Sequence, residues 1–258
     1  MDRGAILGLG LFETMLGLNG APVFADRHLA RLAKNCERLG WHAPPDDLES
    51  VMTELLVRNH LTTGRAKVRL AVTAGSGLVN DLTMGNDPLI WMAAMPVGEP
   101  QKDIVVNVSP WSRNERSPLA GLKCTSYAEN IFALDHARRS GFDETIFFNT
   151  AGYLCEAATA NIFLIKNGVL FTPSLDSGCL PGIAREVVLE LAGRCRLARE
   201  ERPLTREDLE SADEIFLTSS IRGLVNVSHI GEHSYSRGLI TKRLRDYWNV
   251  EVDCKTYA

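Results

Sequence analysis

The sequence predicts an α+β fold with two lobes, a small N-terminal α/β lobe and a larger, strand-rich C-terminal lobe. Strand-like segments follow one another in meander order, with helices inserted between groups of strands, unlike the regular alternation of a parallel sheet. A chain of 258 residues, 45% of them hydrophobic, suffices for one large or two modest domains. The polar segment PWSRNERSPLAG has two prolines and no hydrophobic period, so we expect domains at 1–110 and 121–258 joined by a linker at 111–120.

The N-terminal lobe is predicted to combine a hairpin, two helices and three further strands. LFETMLGLNGAPVF has two β-prone arms around Asn19-Gly20, a dipeptide that favours a hairpin turn. DRHLARLAKNCERLGW has the apolar spacing of an amphipathic helix, and a second such helix follows Pro44-Pro45. The segments RAKVRLAVT, PLIWMAAM and DIVVNVS then predict strands.

The C-terminal lobe is predicted to begin with a helix in GLKCTSYAENIFALDHARRSG and to continue mostly as strands. DETIFFNTAGYLCEA and NIFLIKNGVLFTP predict hairpins, the second of which turns at Asn167-Gly168. A helix is expected to begin at Pro181-Gly182, because proline and glycine favour a helix start. A short acidic helix in TREDLESA, a strand in EIFLTSS and a closing helix in LITKRLRDYW complete the predicted order.

The composition excludes several classes of function. A net charge of −4 and a pI near 5.9 give no basic surface for nucleic acid or for an anionic membrane. No run of about 18 apolar residues is present, and the N-terminus lacks the basic region and cleavage site of a signal peptide. The six cysteines contain no C-x-x-C pair, which favours reduced thiols in the cytoplasm and no metal site.

One lysine and one glutamate have side chains and positions in the sequence that suit chemistry on a carbonyl group. Lys123 is one of only seven lysines and lies just before a predicted helix; Glu156 follows 33 positions later at the end of a strand. An amine that forms a Schiff base and a buried acid that holds a pyridinium proton are the minimum set for pyridoxal phosphate (PLP) chemistry. The alternatives are a solvated surface lysine and a glutamate at a strand edge that faces solvent.

Three further segments could bind a phosphate group. Gly182, Ile183 and Ala184 lie at a predicted helix start, where backbone N–H groups and the helix dipole favour an anion. The strand EIFLTSS ends in three hydroxyl groups, on residues 218–220, and Arg31 in HLARL could reach inward with a bidentate guanidinium. Each of these patterns also has an ordinary explanation as a helix cap, a turn or a surface arginine.

The order of these motifs resembles that of the class IV (fold type IV) PLP-dependent enzymes. The matching motifs are GLFET, HLARL, LK…Y…N…A, G-Y-x-x-E-x-x-x-x-N-I-F, FTP, G-C-L-P-G-I-x-R and D-E-I-F-L-T-S-S. The family includes branched-chain and D-amino-acid aminotransferases and 4-amino-4-deoxychorismate lyase. The resemblance extends from about residue 2 to at least residue 227, and its most specific part is Lys123 to Arg185.

The resemblance implies a two-domain fold with PLP between the lobes, and a homodimer in which a loop of the partner helps to close each site. Lys123 is similar to the lysine that forms the Schiff base and acts in catalysis. Glu156 is similar to the partner of the pyridine nitrogen. The remaining implied cofactor contacts are Tyr127 to the phenolic oxygen, Leu180 against the ring, and Arg31, Ile183, Ala184, Ser219 and Ser220 around the phosphate.

The sequence departs from the family pattern at four places. Met1 directly precedes Asp-Arg-Gly, where the family usually has a further strand, so the start is misassigned or the small domain has lost an edge strand. Ala184 replaces a threonine, which removes a hydroxyl group but keeps the backbone amide. Asn226 is expected to alter a turn near the cofactor. The loop TAGSGLVND lacks the arginine of many relatives.

Three reactions remain open at this stage. GLFET and GCLPGIAR resemble lyase members, which release pyruvate from aminodeoxychorismate and form 4-aminobenzoate for folate biosynthesis. The second alternative is an aminotransferase for branched-chain or D-amino acids, although branched-chain enzymes usually read FEG and D-specific enzymes carry an Arg-x-His motif in the loop. The third is an inactive PLP-binding homologue, which the intact Lys123, Tyr127 and Glu156 argue against. Of the three, we expect the lyase reaction.

Overall fold

The structure is a computed structural model that describes residues 1–78, 80, 82–85 and 87–254. Two positions of the loop TAGSGLVND, 79 and 81, therefore lie outside the described residues. The described chain forms two compact units. The first contains residues 1–99, 122–127 and the end of the last helix from 252, and the second contains residues 100–121 and 128–251.

The first unit is a four-stranded antiparallel sheet with helices. Its helices are α1 (Arg3–Leu7), α2 (Ala25–Arg38) and α3 (Leu48–Arg58), and its strands are β1 (Gly10–Leu18), β2 (Ala21–Pro22), β3 (Arg65–Thr73) and β4 (Leu89–Pro96). The strand order is β2-β1-β3-β4. The predicted hairpin is confirmed, since Asn19 and Gly20 have φ values of 51° and 87°, the positive range that a tight hairpin turn requires.

The core of the first unit lies where α2 and α3 cover one face of this sheet. Leu11 and Met15 of β1 point into it, as do Leu32 of α2 and Met52 of α3. The predicted amphipathic helices are therefore confirmed. Glu13 lies between Leu11 and Met15 on the core-facing side of β1, although its carboxylate is polar.

The second unit is built around a nine-stranded mixed sheet. Its strands are β5 (Asp103–Val108), β6 (Glu144–Phe148), β7 (Leu154–Ala157), β8 (Asn161–Lys166), β9 (Val169–Pro173), β10 (Arg199–Arg202), β11 (Glu214–Ser219), β12 (Gly223–Ile230) and β13 (His233–Ser234). Its helices are α4 (Ala128–Arg139), α5 (Ile183–Arg194), α6 (Arg206–Glu210) and α7 (Leu239–Cys254). The strand order is β10-β9-β8-β11-β12-β5-β6-β7, and β13 pairs with β12.

Both faces of this sheet are buried at its centre. Ile162, Leu164 and Leu217 belong to one apolar cluster on the first face. Because neighbouring residues of a strand point to opposite faces, Phe163 and Phe216 lie on the second face, where their rings stack with centroids 5.0 Å apart. This burial explains why NIFLI and EIFL read as continuous hydrophobic runs.

Three expectations need correction. The strand Asp103–Val108 pairs in parallel with β12 and β6 inside the second sheet, so the expected end of the first domain at residue 110 is too late. The linker expected at 111–120 belongs to the second unit for the same reason, and residues 122–127 belong to the first. Asn226 lies inside β12 and not in a turn; its Nδ2 donates to Asp103 Oδ1 at 3.1 Å.

The longest helix of the described chain is α7, with 16 residues. Among the residues that the structure describes, no helix combines the length and the apolar character needed to cross a bilayer. The closing helix predicted from LITKRLRDYW is confirmed and extends six residues further, to Cys254.

Candidate active site

Backbone hydrogen bonds in the first unit hold Lys123 beside the start of β1. The Phe12 N–H donates to the Lys123 carbonyl at 2.8 Å, and the Thr125 N–H donates to the Gly10 carbonyl at 2.7 Å. Leu11 and Cys124 form an isolated antiparallel bridge between these two bonds. The backbone of Lys123 is thus fixed as a short extension of the four-stranded sheet.

The side chain of Lys123 lies among aromatic rings. Its Nζ is 4.4 Å from the centroid of the Phe12 ring and 5.7 Å from that of Tyr127, distances typical of cation–π contacts. The Phe12 and Tyr127 rings meet edge to face with centroids 5.3 Å apart. The structure therefore brings Tyr127 to Lys123, as the resemblance implied, and adds Phe12, which the sequence did not single out.

A second cation, Arg69 of β3, contacts the same ring. Its Cζ is 3.5 Å from the Phe12 centroid. Burial lowers the pKa of Arg69, and the nearby Tyr127 hydroxyl opposes that shift. An amine, a guanidinium and a phenol thus surround one aromatic ring, which suits a ligand that carries a negative charge.

Arg31 lies on the other side of β1 in a buried polar network. Its Nε donates to Glu13 Oε1 at 2.8 Å, and its Nη2 donates to Glu13 Oε2 at 2.5 Å. His28 Nδ1 lies 2.7 Å from the same Oε2. Burial raises the pKa of Glu13, but the charge of Arg31 and the hydrogen bonds from His28 and Arg31 outweigh it and lower that pKa to about 2. Glu13 is therefore an anion at neutral pH.

Glu156, in the second unit, is half-buried on β7 and does not face bulk solvent as a surface glutamate would. Its Oε2 accepts a hydrogen bond from the Leu180 N–H at 2.9 Å and a longer one from Asn161 Nδ2 at 3.5 Å. Asn161 Nδ2 also donates to the Leu180 carbonyl at 2.8 Å. These bonds join the β7–β8 segment to Leu180, 24 residues after Glu156, and hold the Glu156 carboxylate in one orientation.

The start of α5 presents backbone donors beside this carboxylate. Gly182 is the N-cap residue and makes no side-chain cap, so the first N–H groups of the helix, on Ile183 and Ala184, have no intrahelical acceptor. A Cβ atom at position 182 would lie 2.0 Å from Asn161 Oδ1, so only glycine fits there. The predicted helix start at Pro181-Gly182 is confirmed.

The three hydroxyl groups after EIFL lie at the end of β11. The Thr218 hydroxyl is buried and has no hydrogen-bond partner within the described chain, although Thr218 pairs across the strands with Asn161. The Ser219 Oγ accepts from the Arg222 N–H at 3.3 Å, and Ser220 follows where the strand ends. A buried hydroxyl of this kind costs free energy unless a ligand or water pairs with it.

These donor sets fit a PLP-type cofactor. The second unit offers helix-start amides, a buried unpaired hydroxyl and an oriented carboxylate, which match a phosphate group and a protonated pyridine nitrogen. The first unit offers a lysine amine beside a tyrosine. Ala184 keeps its amide at the second position of α5, so the loss of a threonine there leaves the backbone donor in place.

Sequence reasoning missed four residues of the site. Glu13 carried a usable signal, since a carboxylate between core-facing Leu11 and Met15 needs a partner. His28 and Arg69 carried none, because a histidine in a helix and an arginine that alternates with Val68 and Leu70 are both ordinary surface patterns. Phe12 belongs to the GLFET motif, but nothing in the sequence indicated a role for its ring.

The chain belongs to the amino-transferase class IV family, whose model matches residues 10–230. A curated relative named "Putative branched-chain-amino-acid aminotransferase", from Methanocaldococcus jannaschii, is 32% identical over 256 residues, which are 95% of this chain and 88% of the relative. The predicted family resemblance is thus confirmed, and the protein is an enzyme of the class IV type.

Two solved structures show the same fold. The branched-chain aminotransferase of Thermoproteus uzoniensis, crystallised with norvaline, has a TM-score of 0.92 and 27% identity, covering 98% of this chain and 89% of that chain. The structure described as "Putative 4-amino-4-deoxychorismate lyase", from Legionella pneumophila, has a TM-score of 0.90 and 27% identity, covering 97% and 93%. The predicted α+β class of fold type IV is confirmed.

Proposed function

We propose that the protein is a pyridoxal-phosphate-dependent aminotransferase for amino acids with apolar side chains. The observation that carries this proposal is the group of Lys123, Tyr127 and Arg69 around the Phe12 ring. When bound, PLP supplies a carbonyl group for an amine and a ring that withdraws electrons from the α-carbon. The names of the curated relatives favour transamination of branched-chain substrates.

Lys123 and Arg69 have different proposed tasks. The Lys123 amine would hold the cofactor and would move a proton at the substrate α-carbon; an arginine could not do so, because it stays protonated. Arg69 is proposed to attract the substrate carboxylate, and the partial burial of its guanidinium strengthens that attraction. Tyr127 hydrogen-bonds the phenolic oxygen of the cofactor.

The proposed phosphate contacts come from the start of α5, the end of β11 and α2. They are the Ile183 and Ala184 amides, the Ser219 and Ser220 hydroxyls and the Arg31 guanidinium. Glu156 is proposed to accept the pyridine N–H, and the Leu180 side chain to pack on the ring. The hydrogen bond from the Leu180 N–H to Glu156 supports the last two assignments, because it holds both residues together.

The lyase is the second candidate, and two observations favour it. Thr14, which replaces the glycine of FEG, lies on the same strand face as Phe12 and pairs directly with Arg69 across β1 and β3. The lyase-named Legionella structure is matched over 93% of its length. In this reaction Lys123 would remove the proton from the carbon that carries the amine, and the C–O bond at the neighbouring ring carbon would break. The enolpyruvate that leaves would take up a proton from the Lys123 ammonium and tautomerise to pyruvate, and aromatisation to 4-aminobenzoate would provide the driving force.

Neutralising Glu156 should slow the reaction far more than it weakens cofactor binding. If Glu156 keeps the ring nitrogen protonated, Glu156→Gln lowers kcat by about tenfold or more while the Kd of PLP changes less than about threefold. Glu214→Gln is the control, because Glu214 is also a strand glutamate, is buried, and caps α7 through Thr241. If Glu156→Gln has the same kcat as the control, Glu156 has no role in the chemical step.

The two candidate reactions differ in their need for a keto acid. An aminotransferase given leucine alone should release one keto-acid equivalent per active site, and many once 2-oxoglutarate is added. Aminodeoxychorismate alone should then give no sustained 4-aminobenzoate. Continuous release of 4-aminobenzoate and pyruvate without a keto acid, together with no turnover of leucine, would make the protein the lyase. No turnover of these substrates, nor of D-alanine with 2-oxoglutarate, would favour the inactive homologue.

We also propose that the protein is a homodimer. Trp111, Ile131 and Phe132 form an exposed apolar patch on the second unit, with Phe132 65% exposed and its ring 5.0 Å from that of Trp111. The patch borders a cleft of about 340 Å³. Exposed aromatic clusters of this kind usually mark an interaction surface.

Sedimentation equilibrium at micromolar concentration should give the mass of a dimer, and Phe132→Ser should shift the equilibrium toward monomer. Leu239→Ser is the control, because Leu239 is 83% exposed on a different helix, α7. A wild-type protein that is monomeric with its cofactor bound would contradict the proposal.

A further inference from the structure

The Glu13 carboxylate is the most deeply buried charge near Lys123, yet the proposed chemistry assigns it no task. Glu13 is 0% exposed in the middle of β1, opposite Leu70 of β3, and its strand neighbours on that face are apolar. Burying an ion costs several kcal/mol unless partners of opposite charge compensate. A leucine at this position would avoid that cost, so a structural role alone explains the carboxylate poorly.

The contacts of Glu13 define the orientation of Arg31. Arg31 Nε donates to Glu13 Oε1 at 2.8 Å and Arg31 Nη2 donates to Glu13 Oε2 at 2.5 Å, so the two side chains form a bidentate pair. Such a pair fixes the plane of the guanidinium as well as its position. The edge that carries Nη1 is therefore turned away from Glu13, and the Arg31 side chain, 8% exposed, has little room to rotate.

His28 completes the network from the same helix. His28 and Arg31 are three residues apart on α2, so both point toward β1. Burial lowers the pKa of His28, the contact with Glu13 opposes this shift, and the charges of Arg31 and Lys123 add to it. His28 is thus neutral and donates its Nδ1–H to Glu13. One anion, one cation and one neutral donor leave the network with no net charge.

We propose that Glu13 is a positioning residue that aims Arg31 at the phosphate of the cofactor. This inference rests on the proposed function, in which Arg31 binds that phosphate. Glu13 itself contacts neither cofactor nor substrate in this account. Its carboxylate holds the guanidinium in the orientation needed for phosphate, and His28 holds the carboxylate.

The test compares two ligands that differ only in the phosphate group. The cofactor-free full-length protein is titrated with PLP and with pyridoxal. Glu13→Gln should raise the Kd of PLP by about 10- to 100-fold, the range that applies when the group orienting a metal-binding side chain is lost. The Kd of pyridoxal should change less than about threefold, since pyridoxal has no phosphate for Arg31.

Two further variants keep the test decisive. Glu13→Asp keeps the charge but shortens the side chain by one methylene, about 1.5 Å. The two hydrogen bonds to Arg31 can then no longer form together. This variant should show the same selective loss of PLP affinity even if Glu13→Gln folds poorly. In an Arg31→Lys background, Glu13→Gln should cause little further loss, because residues that act as one unit are not additive. The control Glu214→Gln should leave the ratio of the two Kd values unchanged.

The outcomes separate this inference from the proposed function. A wild-type protein that binds neither PLP nor pyridoxal would overturn the proposed function. A wild-type protein that binds PLP tightly, with an unchanged ratio of Kd values in Glu13→Gln and Glu13→Asp, would overturn the positioning role alone. An equal rise of both Kd values would also overturn it, because it would show a general structural defect.

Discussion

The hydrogen bond from the Phe12 N–H to the Lys123 carbonyl, 2.8 Å long, is the contact on which the first half of the site depends. It attaches residues 122–127 to β1 although more than 100 residues separate them in sequence. Since neighbouring residues of β1 point to opposite faces, the same strand presents Phe12 to Lys123 on one side and Glu13 to Arg31 on the other. A single strand thus supports both the amine and the proposed phosphate contact.

Glu13 of the first unit and Glu156 of the second are carboxylates that burial alone would disfavour, and their partners differ. Glu13 has a full cationic partner, and its pKa falls to about 2. Glu156 accepts hydrogen bonds from the Leu180 N–H and from the Asn161 side-chain amide, and these contacts orient its carboxylate.

Local patterns made most elements predictable, and long-range pairing explains most of the errors. The helices α2, α3, α5 and α7 follow from apolar spacing and the hairpins from Asn-Gly turns. The strand β12 was missed because Gly223 and Asn226 interrupt its hydrophobic pattern; its neighbours β11 and β5 decide its conformation. Lys123 and Glu156 could be named from motif order, but the contacts of Phe12, His28 and Arg69 arise from tertiary structure and leave no local pattern.

The central claim is that Lys123 carries the cofactor, and one measurement tests it directly. The purified protein with its cofactor is reduced with borohydride, digested and mapped by mass spectrometry. The account predicts a pyridoxyl group on the peptide that contains Lys123, lost in Lys123→Ala and retained in Lys67→Ala, a lysine of β3 on the same sheet. A pyridoxyl group on any of the other six lysines, or on none, would contradict the account.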